Sequence, residues 1–164
     1  MRIFKFGGAS VKDADSIKHV VKVLKEVGHK DTLLVISAMG KTTNAMEAIV
    51  NAYFKDKNKL EEAIAVVREN HKAIINTLFD AKNHDIHNRV NGLIEEFRGF
   101  LMWNKSPNYA FVYDQVVGYG ELLSTSIVSA YFNEVGLENK WLDVRELIKT
   151  DNSYRDAQVR WEFT

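Results

Sequence analysis

Large apolar and cationic side chains alternate through Arg2-Ile3-Phe4-Lys5-Phe6, which predicts a short strand with one buried face, ended by Gly7 and Gly8. Beyond it Ile17, Val20, Val21, Leu24 and Val27 recur at helical spacing. Asp13 or Asp15 offers an N-cap, and Gly28 stands where a left-handed C-terminal residue is wanted. Thr32-Leu33-Leu34-Val35-Ile36 is a continuous run without polar alternation and predicts a strand covered on both faces, as in a parallel sheet. Strand, helix, strand in that order reads as a right-handed βαβ unit. The chain then turns through Ala38 to Asn44, and the apolar run from Ala45 to Tyr53 predicts another helix.

From about Asn58 to about Leu101 the pattern is helical throughout. One stripe holds Leu60, Ile64, Val67, His71, Ile74, Ile75 and Leu78, and a second holds Val90, Leu93, Ile94, Phe97 and Leu101. Together they predict a helical hairpin broken near Asn83-His84. Pro107 separates the hairpin from a helix at Tyr109 to Gly118, and another follows from Glu121 to Asn133. Lys140 to Val144 predicts a third strand, with a short helix or turn at Arg145 to Lys149. In Gln158 to Thr164 the alternation of Val159, Trp161 and Phe163 predicts a strand in need of a partner. No repeat or linker divides the 164 residues, which fit one domain or a piece of a larger one.

Composition narrows the function classes. Hydrophobic residues at 46% and charged residues at 27% describe a chain that folds. Lys and Arg number 22 against 22 Asp and Glu, so no global field draws the chain to nucleic acid or to anionic lipid, and any anion site is local. The absence of cysteine removes disulfides, thiolate catalysis and cysteine metal sites, and points to a reducing compartment. No apolar stretch has the length of a membrane span or secretory signal, so a cytoplasmic location is expected.

Four segments carry candidate chemistry, each with a plainer reading beside it. In Lys5-Phe6-Gly7-Gly8-Ala9-Ser10 the glycines permit a tight turn that presents bare amides to phosphate oxygens, and Lys5 adds a mobile positive charge. The spacing is not that of a Walker loop, and a surface lysine before an ordinary glycine turn also fits. Ser37 to Asn44 lies at the carboxyl end of a buried strand, where ligands sit in open α/β sheets, and its hydroxyl and amide groups suit a small polar substrate. Equally, Thr42, Thr43 or Asn44 would serve as a helix cap. Gly118 to Ser124 puts Glu121 at a helix start, where it would receive a substrate ammonium or simply complement the helix dipole. The fourth segment, Trp141 to Asp151, holds Asp143, Arg145, Thr150 and Asp151, a set that also suits a loop network. His84 and His87 are three apart but lack a completing carboxylate or cysteine set, so no protein-bound metal is expected, and His71 reads as a packed residue.

Taken together these segments resemble the aspartate kinases. Lys5 to Ser10 is similar to that family's opening Lys-Phe-Gly-Gly-Thr-Ser signature, with Ala9 replacing the threonine. Ser37-Ala38 with Thr43-Asn44 resembles its substrate loop, Gly120-Glu121-Leu122-Leu123-Ser124 its Gly-Glu-x-x-Ser motif, and Asp143-Val144-Arg145 with Thr150-Asp151 its Asp-x-Arg and Thr-Asp segment. The resemblance runs from end to end. It implies an α/β, three-layer αβα amino acid kinase fold, with residues 1–164 as the N-terminal, substrate-binding part, having a parallel sheet and an inserted helical hairpin. The activity implied is transfer of the γ-phosphoryl of ATP, with Mg2+ as co-substrate, to the β-carboxylate of L-aspartate. The product, 4-phospho-L-aspartate, opens lysine, threonine and methionine synthesis. On this resemblance Lys5 would neutralise charge on the transferred group, and Gly7, Gly8 and Ser10 would bind phosphate. Ser37, Thr43, Asn44 and Glu121 would bind aspartate, with Glu121 taking the ammonium. A homo-oligomeric parent enzyme is implied as well. The family's Arg-Gly-Gly-Ser-Asp region, ATP-binding half and ACT domains do not occur in these residues, so the expectation is a chain without kinase activity of its own. Two alternatives stay open: a relative acting on another amino acid, such as a glutamate kinase, and a non-catalytic module that holds an amino acid or anion.

Overall fold

Two five-residue strands, β1 (Arg2–Phe6) and β2 (Thr32–Ile36), pair in parallel with Arg2 opposite Thr32 and Phe6 opposite Ile36. The structure, a computed structural model, describes residues 1–80 and 85–164. Between the strands runs α1 (Ala14–Val27), capped by Asp13, whose carboxylate accepts the Ser16 amide at 2.8 Å. Hydrogen bonding from Ser16, its hydroxyl first and this amide second, holds the Asp13 carboxyl below its usual range. Ile17, Val20, Val21 and Leu24 of α1 are buried as their spacing predicts, whereas Val27 is exposed. Gly28 has a positive φ of 82° but a ψ of 144°, an extended conformation rather than the predicted left-handed cap. The last carbonyls of the helix are satisfied from outside: the Arg2 guanidinium donates to Val27 O and Gly28 O, both at 2.7 Å.

Helices α2 (Thr42–Lys55), α3 (Leu60–Leu78), α4 (Asp85–Trp103), α5 (Tyr109–Val117) and α6 (Tyr119–Glu134) follow in order. Helix α2 packs on α3 and α5, α4 on α6, and α6 on β2. Their apolar stripes form one core that also takes in Phe4, Phe6, Leu34 and Ile36 from the sheet. The hairpin of α3 and α4 exists as predicted, although its break at Asn83-His84 lies outside the described residues.

Three expectations need correction. β2 is not covered on both faces: Ile3, Leu33 and Val35 are 60, 42 and 45% exposed, so this chain supplies the sheet and the helical layer on one side of it. Lys140 to Val144 forms no strand. It is extended along α6, because the Trp141 indole donates to Thr125 Oγ1 at 2.9 Å, and Asp143 caps a 3-10 turn at Val144–Glu146. Gln158 to Thr164 is not a strand either. A single antiparallel bridge joins Thr150 to Val159, and the backbone then turns, leaving Trp161 and Phe163 in solvent. In the last two cases a strand pattern is present in the sequence, but among the described residues no strand edge lies alongside to pair with.

Candidate functional site

Three of the four candidate segments meet at the carboxyl rim of the two strands. Ser37 N–H donates to Phe6 O at 3.1 Å, continuing the ladder by one residue, and Gly40 N–H donates to Gly8 O at 3.0 Å. The glycine loop and the loop after β2 are therefore bonded backbone to backbone. Gly8 is required by this closeness, because a Cβ there would stand 2.7 Å from Ala38 O. Gly7 has open space around it. Ser10 closes the turn, its amide donating to Gly7 O at 2.9 Å. It also faces a cleft of about 600 Å³ whose lining includes Phe6, Lys12, Ser16 and His19 but neither Lys5 nor Glu121. Ala9 is exposed, so the missing hydroxyl leaves no buried gap.

From the other side, the first turns of α6 grip the same loop. The Glu121 carboxylate accepts Ala38 N–H at 3.4 Å, and Ser124 Oγ donates to Ser37 O at 2.7 Å. Gly120 allows the approach, since a Cβ there would lie 3.3 Å from Ala38 Cβ and 3.4 Å from Thr42 Cγ2. Glu121 is half-buried and Ser37 is half-buried beside it. The dipole reading of Glu121 also holds, because it lies in the first turn of α6.

The capping reading of Thr42, Thr43 and Asn44 does not hold. Lys41 occupies the N-cap position of α2 and no side chain caps it, so these three residues lie inside the first turn. Thr42 is buried against Gly120, while Thr43 and Asn44 are exposed at the rim. An uncapped first turn leaves amide donors and a partial positive charge available to a carboxylate. Lys5 lies on the open face of β1 opposite Val35, exposed and without an ion-pair partner among the described residues.

The fourth segment is held apart as a structural network. Asp143 receives the Arg145 guanidinium at 2.6 Å, and this hydrogen bond is the main reason its carboxyl titrates below the usual range. Arg145 also lies over the Tyr119 ring, and Arg89 sits 4.3 Å above the Trp141 ring. Asp151 accepts the amides of Ser153 and Gln158, which lower its pKa. These residues tie the C-terminal stretch to α4 and α6 rather than presenting groups at the rim.

His71 is a packed residue, 1% exposed. Its Nδ1 lies 2.8 Å from Val67 O, and because a carbonyl only accepts, Nδ1 carries the proton. Burial pushes its pKa down. His87 keeps a buried Nε2 without a hydrogen-bond partner among the described residues, and His84 lies outside them. Among the described residues no three His, Asp or Glu side chains group as a metal site. The residue that sequence reasoning left off the site is Ser124. Its signal was the spacing from Glu121, which places the two one turn apart on the same helix face.

With this geometry the chain can be set beside known proteins. It is 30% identical over 156 residues to aspartokinase 2, chloroplastic, of Arabidopsis thaliana, covering 92% of this chain and 28% of that protein. It is 27% identical over 152 residues to the bifunctional aspartokinase/homoserine dehydrogenase 2 of Escherichia coli, covering 93% of this chain and 18% of the relative. The chain thus spans less than a third of either relative's length. Its fold superposes on E. coli aspartokinase III, solved in complex with lysine and aspartate, with a TM-score of 0.84 at 23% identity, over 97% of this chain and 35% of that one. The same protein in complex with aspartate and ADP gives a TM-score of 0.83. No described helix is long and apolar enough to cross a membrane. The model of the amino acid kinase family matches residues 1–162, and the chain belongs to that family.

Proposed function

We propose that this chain is the N-terminal, aspartate-binding part of an aspartate kinase catalytic domain. The observation that carries the reading is the meeting of the glycine loop, the uncapped start of α2 and the Glu121 carboxylate at one rim of the parallel sheet. L-aspartate has an ammonium and two carboxylates, and the rim offers a matching set. Glu121 takes the ammonium, while the first turn of α2, with Thr43, Asn44 and Ser37, takes carboxylate oxygens.

In the reaction proposed, a β-carboxylate oxygen attacks the γ-phosphorus of MgATP. The bond from that phosphorus to the β–γ bridging oxygen breaks, and ADP leaves as 4-phospho-L-aspartate forms. Such transfers depend on positioning and charge stabilisation. Gly7, Gly8 and Ser10 present amide and hydroxyl groups to the phosphoryl oxygens, and Lys5 offsets their charge. Mg2+ enters with the nucleotide as part of the substrate. The reading also includes a cytoplasmic, homo-oligomeric parent enzyme serving lysine, threonine and methionine synthesis. Aspartokinase relatives and the complexes of aspartokinase III with aspartate and with ADP support it.

Calorimetric titration of the chain tests the reading. L-aspartate binds, L-glutamate binds at least tenfold more weakly, and a coupled assay finds no aspartate-dependent ADP formation by these 164 residues. Equal affinity for the two amino acids, or no heat with either, would refute it.

A further inference from the structure

Ser37 O and Ala38 N–H are the two ends of one peptide unit, and in a trans peptide they point in opposite directions. Both ends are held by the same helix. Ser124 Oγ donates to the carbonyl at 2.7 Å, and the Glu121 carboxylate accepts from the amide at 3.4 Å. These two side chains are three residues apart on α6, the spacing that puts them side by side on one face. The peptide plane after β2 is therefore bracketed.

We infer that Ser124 is a positioning residue for ligand binding at Glu121: by holding the Ser37 carbonyl it fixes the tilt of the Ser37–Ala38 peptide and so aims the Ala38 amide at the Glu121 carboxylate. Three observations support the inference. Ser124 is fully buried, so its hydroxyl has no water to turn to and the bond to Ser37 O is its means of satisfaction. A donor on the carbonyl polarises the peptide and makes its N–H a better donor, so the two bonds reinforce one another. The glycines on either side remove slack, since Gly8 approaches Ala38 O from the β1 side and Gly120 approaches Ala38 Cβ from α6. With one carboxylate oxygen engaged by Ala38, the second is left to meet a ligand cation from a fixed direction. Ser126 provides the contrast: it is buried on the same helix but its hydroxyl has no hydrogen-bond partner among the described residues, and it has no role in this arrangement.

The ligand part of this inference rests on the reading of Glu121 as the ammonium receptor, whereas the peptide-aiming part does not. Two measurements keep them separate. The first is amide hydrogen exchange by NMR on the chain without ligand. Ser124→Ala is expected to speed exchange at Ala38 about tenfold while leaving Ser37 unchanged, because Ser37 N–H is bonded to Phe6 O in β1. Ser126→Ala is expected to change neither. Should Ser124→Ala fail to fold, Ser124→Cys, which keeps the volume but donates poorly, is expected to give the same pattern at smaller size. Unchanged exchange at Ala38, or Ser37 and Ala38 rising together as general loosening would produce, overturns the inference. The second measurement is the Kd for L-aspartate, expected to weaken about tenfold in Ser124→Ala and not in Ser126→Ala. Absence of aspartate binding in the unaltered chain defeats the functional reading alone, whereas equal Kd values in Ser124→Ala and the unaltered chain defeat this inference alone.

Discussion

Replacing Gly8 with alanine adds one methyl group at the tightest point between the two rim loops. That carbon would stand 2.7 Å from Ala38 O and 3.2 Å from Gly40 O. Carbon–oxygen contacts are comfortable from about 3.3 Å, so the loops must separate by roughly 0.6 Å. Both opposing atoms are backbone and cannot rotate away. Overpacking of this kind costs about 1–3 kcal/mol, and weakening the Gly40 N–H to Gly8 O bond adds about 1 kcal/mol, giving about 2–4 kcal/mol in all. For a chain of this size that lowers Tm by roughly 4–15 °C. Gly7 is the internal control. It has φ −72° and ψ 170°, which any residue adopts, and open space at its Cβ position. Gly7→Ala is therefore expected to stay within about 0.5 kcal/mol of the parent. Urea unfolding followed by circular dichroism measures both. Equal stability of the two variants would refute the claim that the glycine loop and the loop after β2 are in backbone contact.

Further outcomes follow from the same geometry. Glu121→Gln keeps an acceptor for Ala38 N–H but removes the charge, so folding is expected to change little. L-aspartate affinity should fall roughly 10- to 150-fold, the worth of about 1.5–3 kcal/mol for a hydrogen bond to a charged group, as read by calorimetry. An unchanged Kd would remove Glu121 from the site. The pKa of His71 is lowered by burial from 6.5, so the unfolded chain binds that proton at higher pH than the folded one. The His71 contribution is complete above about pH 6.5 and is lost as pH falls from there toward the folded-state pKa. His71→Leu should flatten this part of the stability profile, and a profile unaltered by the substitution would contradict the assignment. Trp141→Phe keeps a ring beneath Arg89 but loses the indole donor to Thr125, which is expected to lower stability by about 0.5–1.5 kcal/mol in urea unfolding. No loss at all would mean that the stretch after α6 is not anchored there.

What the sequence made legible was governed by local periodicity. The stripe of α1, the two stripes of the hairpin and the parallel strands depend on side-chain spacing within one element, and the structure has them all. The strand pattern at Lys140 to Val144 and the alternation at Val159 to Phe163 misled for the opposite reason. Pairing needs a neighbouring edge, which no local pattern specifies, and Trp141 found a hydrogen-bond partner on α6 instead. Among the candidate site residues, Gly7, Gly8, Ser37 and Glu121 are brought to one rim as their motifs suggested. Lys5 is placed two residues before it on the open face of the sheet. Ser124 was in view as part of a motif, but its part in holding a backbone carbonyl depends on how α6 approaches β2, a long-range contact that spacing alone does not encode.

The most direct test of the central claim, that one rim of the sheet holds L-aspartate, is an NMR titration of the isotope-labelled chain that maps amide shifts residue by residue. Saturable changes confined to residues 37–44 and 118–124 are predicted, absent when D-aspartate replaces the L form. Non-saturable shifts, or shifts centred on the exposed faces of α3 and α4, would contradict it.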